Sequence, residues 1–591
     1  MCGIAGLMSI DASVPAMQIL DAMADAIEHR GPDGIGRYSA RDVALVQTRL
    51  AIIDLETGDQ PLYASRGKGE DDICLIANGE IYNYIELRAQ MSDVAFKTMS
   101  DCEPILHLYI EHGIDFAEHL RGMYAIALHD PTDGALILAR DPFGIKPLYY
   151  GQTSDGFAFA SELQALLAAQ LAKPVIEATK RDELLALQFT TGDETPIAGI
   201  YRLLPGETIV IRGGRVTEQK IISALPPGGP KKISRTDAVK QFDQVIMDAV
   251  GVHQRADVPY GMFLSGGTDS SVILAAMRRL NPTPVQALTA GFGNTSVNDE
   301  RAHARDVAKA AGADHHEIDV TEADFWQELP IITRAMDDPA ADYAIIPTYF
   351  LARKAREMGL KVVLSGEGGD ELFAGYGRYR RALRPSWLGG RQIRHAAIFD
   401  GLDVLRNPAV DWRQGISAEE AEAQAHGRNR LQVVQATDSA GWLANDLLTK
   451  LDRCLMAHGV EGRVPFLDPY VADFAFTLPD NIKIRNGNGK WVLREWLSSA
   501  LPESKPFTKK RGFTVPVGEW IASKADALGP LVAAQQGIFE VCDTPAVEKL
   551  FKAGADFGKA QWTLLFYALW HQSHIIGADT DGDVFEVLAA R

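Results

Sequence analysis

YGMFLSGGTDSS, residues Tyr260 to Ser271, runs from a short apolar strand through two glycines into the start of a helix. Glycines let backbone amides close around phosphate oxygens, and a helix N-terminus adds donors and partial positive charge. The segment therefore reads as an anion cradle without a Walker lysine. Its structural alternative is a tight turn capped by Asp269 or Ser270. Around it the pattern alternates: a helix up to about Gln254, the strand VQALTA, a helix over Asp299 to Ala311, the strand HHEIDV and the strand KVVL. Strands alternating with helices predict a parallel sheet covered on both faces, with ligands beyond the carboxyl ends of its strands. A second glycine-rich turn, LSGEGGDELFAGY at Leu364 to Tyr376, directly follows KVVL. From about Arg380 onward the chain reads as a mainly helical extension.

The first third has a different grain. Short β-type runs (CGIAGLM, VALVQTRLAIIDL, ICLIANGEIYN, YAIALHD, ALILARD, FAFASE and ETIVIR) alternate with turn signals, and helical patterns cover Pro15 to Glu28 and Cys102 to His112. This predicts an α+β unit dominated by antiparallel strands. It is expected to span 1–213, followed by a linker over 214–234 that contains the Pro/Gly/Lys stretch ALPPGGPKKIS, and then an α/β unit over 235–591.

Bulk properties narrow the function. At 591 residues the chain is too long for one core. Its net charge of -19 argues against a nucleic-acid partner, because such binding rests on Lys/Arg neutralising phosphates. No apolar run of about 18 residues and no basic-then-apolar leader is present, so a cytoplasmic protein with no membrane partner is expected. The five cysteines (Cys2, Cys74, Cys102, Cys454, Cys542) are scattered, which suits reduced thiols.

Cys2 stands directly after Met1. If Met1 is removed, the α-amino group of Cys2, with a reference pKa of about 7.7 to 8.0, can serve as general base for its own thiol. The motifs CGIAG, HRGPDG (His29 to Gly34), RLAIID (Arg49 to Asp54), NGEIYN (Asn78 to Asn83), SDCE (Ser100 to Glu103) and RDPFGIKPLYY (Arg140 to Tyr150) follow in order. Together they resemble the class II glutamine amidotransferases, which have an N-terminal nucleophile fold. The resemblance implies that Cys2 attacks the glutamine amide. Arg49 would bind the substrate carboxylate and Asp101 its ammonium, with Glu80 as a further polar contact. Asn78 and the backbone amide of Gly79 would hold the tetrahedral oxyanion. Arg49 could instead form a surface salt bridge. Asn78-Gly79 is also a strong hairpin-turn signal, a reading compatible with presenting an amide.

The Ser-Gly-Gly-x-Asp-Ser-Ser pattern resembles the pyrophosphate loop of the ATP pyrophosphatases. With LSGEGGDELFAGY, KWVLR (Lys490 to Arg494) and KRGFTVPVGEW (Lys510 to Trp520), it resembles the synthetase half of the glutamine-hydrolysing asparagine synthetases. That resemblance implies ATP contacts at Leu264, Ser265, Gly266, Gly267, Asp269, Ser270, Ala290, Ser365 and Gly366, and a catalytic carboxylate at Glu367. It implies Mg2+ held by Asp269 and Asp370, two isolated carboxylates of the kind that suit magnesium on a triphosphate. Lys490 would neutralise charge developing on the adenylate or pyrophosphate, though it also reads as a surface lysine at a helix start. Glu371 reads as the member of an acidic solvated loop. Thr268 replaces the family's usual leucine. Asp338 and Asp342, in MDDPAADYAIIPTY, are candidates for the aspartate side of the site.

Glutamine, aspartate and ATP are thus the expected small-molecule partners, and self-association as a homodimer stays open. Another carboxylate acceptor remains an alternative to aspartate. A β-lactam synthetase would not need Cys2, Arg49 and Asp101, and a non-catalytic relative would not need Cys2, Asp269, Glu367 and Asp370.

Overall fold

The computed structural model describes residues 2–10, 17–67, 71–154, 156–293, 300–508 and 514–590. The sequence readings that touch 11–16, Asp299 and the Lys510-to-Phe513 end of the last motif therefore lie partly outside the described residues.

Two six-stranded antiparallel sheets form the N-terminal half. One orders Ile200–Arg202, Tyr149–Gln152, Gly156–Ala160, Gly3–Ser9, Val43–Arg49 and Gly34–Ala40; the other orders Arg215–Ile221, Glu207–Arg212, Ala135–Arg140, Gly122–Asp130, Ile73–Ile81 and Leu62–Ala64. Alternate residues meet between the sheets: Ile4, Met8, Val43 and Leu45 from one, Cys74, Ile76, Ala125 and Leu136 from the other. The intervening residues face outward onto helices, with Ala5 and Ala44 packing against Leu20 and Met23 of Met17–Ala26. Leu75 and Ile126 pack against Ile105 and Leu106 of Glu103–His112. Strands buried on both faces explain why these runs are apolar throughout instead of alternating. Each fully buried Leu or Ile contributes about 1.5–3 kcal/mol by transfer from water. The N-terminal sheets run on past Gly213, since Arg215–Ile221 is the outer strand of the second sheet.

The C-terminal half is built on a five-stranded parallel sheet in the order Asp314–Asp319, Gln286–Gly291, Tyr260–Phe263, Val362–Leu364, Glu461–Arg463. The chain moves outward from Tyr260–Phe263 in one direction, then returns to its other side. The loops after Tyr260–Phe263 and Val362–Leu364 thus diverge from a topological switch point, where doubly wound sheets bind ligands. The two glycine-rich turns are these two loops. The fifth strand, three residues long, escaped the sequence reading of the helical extension. That extension also departs from helix over much of 383–413. Further on, Ser439–Leu448 is a ten-residue π-helix, a form that recurs at functional sites.

Between the halves lies a buried network of charges. Arg30, 0% exposed, donates to Glu162 (2.6 Å) and to both oxygens of Asp452 (2.8 and 3.1 Å). Arg453 pairs with Asp337 at 2.6 Å and Asp452 at 3.0 Å, and approaches Glu162 at 3.7 Å. Asp338 accepts two bonds from Arg202, both 2.6 Å, and one from Tyr149 Oη at 2.9 Å. Asp338 is thereby committed to the interface, which corrects its reading as an acceptor-site candidate.

Candidate active sites

In the N-terminal half the sheet itself assembles the site. Cys2 is 7% exposed at the head of the Gly3–Ser9 strand, and its backbone nitrogen donates to Asn78 Oδ1 at 3.1 Å. Arg30 Nε fixes the Cys2 carbonyl at 3.3 Å. Asn78 and Gly79 lie within the Ile73–Ile81 strand, opposite Ala125 and Tyr124, so the hairpin-turn reading fails there. The strand needs glycine at 79, because a Cβ would stand 2.2 Å from the Met123 carbonyl oxygen. The Asn78 Nδ2 group is fully buried and has no partner among the described residues. Such a donor normally finds one.

Three more predicted groups face this point. Asp101, 5% exposed, accepts from the Ile81 amide at 2.7 Å, and burial lifts its carboxyl to about 6. Arg49 is buried, not a surface residue: it donates to the Asp54 carbonyl and to Asp59, both at 2.6 Å. The Asp59 side chain is 81% exposed, so that contact can be exchanged for another carboxylate. Glu80 faces Arg463 at 3.2 Å, and burial followed by Glu461 pushes its carboxyl well above the usual range. Burial also raises the Cys2 thiol, while the N-terminal charge, a backbone hydrogen bond at Leu50 and Arg49 pull it back down.

The second site is made by loops. Ser265 and Ser270 hold the first turn in shape through a 3.1 Å contact between hydroxyls, and Ser270 Oγ donates to the Gly267 carbonyl at 3.2 Å. Thr268 opens the Thr268–Leu280 helix that follows. Leu264 is tied to the neighbouring strand by a 2.8 Å bond to Leu288, which carries Ala290 at its carboxyl end. In the second turn Ser365 donates its amide to the Arg463 carbonyl at 2.8 Å and its hydroxyl to Glu367. Gly366 lies against Asp269, with its Cβ position 3.0 Å from that of Asp269.

Asp269 and Asp370 converge on the ammonium of Lys490, which pairs with Asp269 and stands 2.6 Å from Asp370. Lys490 is 2% exposed in a left-handed conformation, so it is not a surface lysine. Gly375 makes the convergence possible, since a Cβ there would lie 1.8 Å from Asp370 Oδ1 and 2.3 Å from Lys490 Cε. Two carboxylates already gathered around one cation suit a hard divalent ion. Among the described residues no set of three or more His, Cys, Asp or Glu is disposed to hold a metal, so most ligands would come from phosphate and water. Glu371 is 1% exposed and bonded to Tyr376 at 2.7 Å, which corrects its reading as solvated. Burial lifts its carboxyl to about 7.

Sequence reasoning missed the link between the sites. The strand Glu461–Arg463 offers its Arg463 carbonyl to Ser365, while the Arg463 side chain reaches Glu80. Charged residues inside an otherwise apolar stretch, Lys450 to Asp468, were the available signal. Asp342 is paired with Lys450 at 3.0 Å.

Comparison with known proteins follows the same division. The glutamine amidotransferase domain profile matches residues 1–222 and the asparagine synthase profile 241–572. The chain is 32% identical to asparagine synthetase [glutamine-hydrolyzing] 1 of Bacillus subtilis, covering 97% of each chain. It is 33% identical to a putative asparagine synthetase [glutamine-hydrolyzing] of Mycobacterium tuberculosis, again over 97% of each. Asparagine synthetase B [glutamine-hydrolyzing] of Escherichia coli is 30% identical over 91% of this chain and 86% of its own.

Proposed function

Since the chain belongs to the glutamine-hydrolysing asparagine synthetases, we propose that it amidates aspartate through a β-aspartyl-adenylate, with the two reactions divided across the Ala224-to-Ser234 stretch. In the first, the Cys2 thiol attacks the glutamine side-chain amide as its proton passes to the α-amino group that removal of Met1 would free, which then gives it to the leaving nitrogen. The oxyanion meets Asn78 Nδ2, a buried donor with no partner among the described residues, and the Gly79 amide. Ammonia leaves, and water releases glutamate from the thioester. Arg49 exchanges Asp59 for the substrate carboxylate, and Asp101 takes its ammonium.

In the second reaction the aspartate β-carboxylate attacks the α-phosphorus of ATP, expelling pyrophosphate. The two turns at 264–267 and 365–366 would wrap the nucleotide. Magnesium, when bound, would neutralise phosphate charge between Asp269 and Asp370. Lys490, now shared by those carboxylates, would follow negative charge onto the departing pyrophosphate. Ammonia then attacks the acyl carbon, Glu367 takes its proton, and AMP departs.

The observation that carries this reading is that one three-residue strand serves both centres: Arg463 touches Glu80 with its side chain and Ser365 with its carbonyl. The test is to incubate the protein with glutamine, MgATP and a panel of carboxylates, with mass detection of products. Asparagine, glutamate, AMP and pyrophosphate are expected. ADP and phosphate, or indifference to aspartate, would overturn the scheme.

A further inference from the structure

Gln435 and Lys483 are both 0% exposed, and neither has a part in the two reactions above. The helix Arg430–Asp438 starts with a capping box: Asn429 accepts the Gln432 amide at 2.9 Å, and Gln432 accepts the Asn429 amide at 3.0 Å. Gln435, three residues further on, is thereby fixed from the helix start. Its Nε2 donates to the carbonyls of Glu371 and Leu372, at 2.6 and 2.7 Å. These two residues close the four-residue helix Gly369–Leu372, and the last carbonyls of a helix have no partner inside it. Lys483 Nζ donates to Gln435 Oε1 at 2.9 Å and to the Phe476 carbonyl at 3.0 Å, which also accepts from Gln432 Nε2 at 3.1 Å. The Gln435 amide has one workable orientation, because turned over it would set its oxygen against two carbonyls.

Such a pair is an unfavourable way to fill a core. No carboxylate among the described residues bonds Lys483; Asp480, three residues before it, accepts from Asn429 at 2.9 Å instead, and burial pushes the lysine down to about 7. Apolar side chains of similar volume would serve stability as well or better. What the polar pair adds is direction. Asp370 stands second in the held helix, 2.6 Å from Lys490, and the Lys490 amide donates to the Phe373 carbonyl at 3.0 Å. Both members of the Asp370–Lys490 pair thus hang on residues 370–373, and Gln435 grips the two carbonyls between them.

We propose that Gln435 and Lys483 are positioning residues of the synthetase centre, holding the 369–373 stretch so that Asp370 and Lys490 meet the phosphates of ATP in register. This rests on the part assigned above to Asp370 and Lys490. Neither Gln435 nor Lys483 touches a reacting atom; their effect passes through the Glu371 and Leu372 carbonyls.

The test uses the full chain with ammonia as nitrogen donor and saturating MgATP and aspartate, comparing wild type, Gln435→Met, Lys483→Met and Asp370→Asn. Gln435→Met is expected to lower the turnover of pyrophosphate release about 10- to 100-fold, the range for losing a group that orients a metal-binding side chain. KM for aspartate and glutaminase activity should stay within about twofold. Hydrogen exchange in the ligand-free protein gives a second readout: the backbone amides of 369–376 should exchange at least about tenfold faster in Gln435→Met, with the N-terminal half unchanged. Turnover within about twofold of wild type, unaltered exchange at 369–376, or a loss shared by glutaminase activity and thermal stability would each overturn the proposal. If Gln435→Met does not fold, Lys483→Met decides by the same two readouts. Normal pyrophosphate release by Asp370→Asn would overturn the reading of Asp370 in the previous subsection, and the positioning role would fall with it.

Discussion

The two centres are held in shape by opposite means. Around Cys2 the groups hang on paired strands, and the site keeps a donor, Asn78 Nδ2, with no partner among the described residues. Around Lys490 the groups stand at the first turns of helices that follow loops, and the charges satisfy one another, lysine against two aspartates. A sheet can hold an unsatisfied donor in place because its backbone is already fixed by pairing with the neighbouring strand. Three charges at separate helix starts cannot, so they close on one another until a ligand replaces the internal pairs. The first site should therefore be rigid and open to its substrate, the second reorganised by its own.

The strongest way to break this comparison is to remove the nucleophile. Cys2→Ala should cut glutamine-dependent synthesis by at least about four orders of magnitude while leaving ammonia-dependent synthesis near normal. Assaying both nitrogen donors decides it, and substantial synthesis from glutamine would show that the strand-held site has been misread. Next comes Glu367→Gln, expected to lower synthesis turnover with saturating ammonia by about 10² to 10⁴. ATP affinity by titration should hardly move; a loss explained wholly by lower thermal stability would return Glu367 to a structural role.

The contact between the sites can be attacked separately. Arg453→Met leaves Asp337 without its buried cation, and Asp452 and Glu162 with Arg30 alone, and should cost about 3–5 kcal/mol. Denaturant unfolding followed by tryptophan fluorescence measures it. A change under about 1 kcal/mol would mean that the two halves do not depend on this network.

The smallest effect is one of pH. Burial holds the Asp101 carboxyl at about 6, above the 3.8 of an exposed aspartate. A raised folded-state value means the folded protein keeps the proton more tightly, so Asp101 makes folding less favourable as pH rises from about 4 to about 6. Glutamine binding runs the other way, because the anion that meets the ammonium forms only above that range. KM for glutamine should rise by up to roughly tenfold per pH unit below about 6, and Asp101→Asn should flatten the profile. An unaltered profile in the variant would remove Asp101 from the binding site.

What the sequence made legible follows the same contrast. Strands buried on both faces announce themselves as apolar runs, and the strand-glycine-helix turns at 264–268 and 364–369 mark a switch point before any coordinates are known. Side chains committed to long-range pairing do not. Asp338 reads like an acceptor-site acid until Arg202 and Tyr149 are seen to hold it, and Glu371 reads as solvated until Tyr376 covers it. Asn78-Gly79 carries a turn signal, but pairing with the Gly122–Asp130 strand overrides it. The π-helix at 439–448 has no sequence signature of its own, and the strand at 461–463 is too short to show a period.

Arg30 bonds the backbone of the nucleophile with one nitrogen and Asp452 of the other half with two more. Evolution of such a chain is thereby constrained unevenly. Insertions at the Pro/Gly/Lys stretch between the halves disturb no buried pair, whereas a single charge change at the Arg30–Asp452–Arg453 junction strands several ions at once. Residues there should change in matched sets or not at all, and recombining one half with that of a distant relative should succeed only when the junction travels as a block.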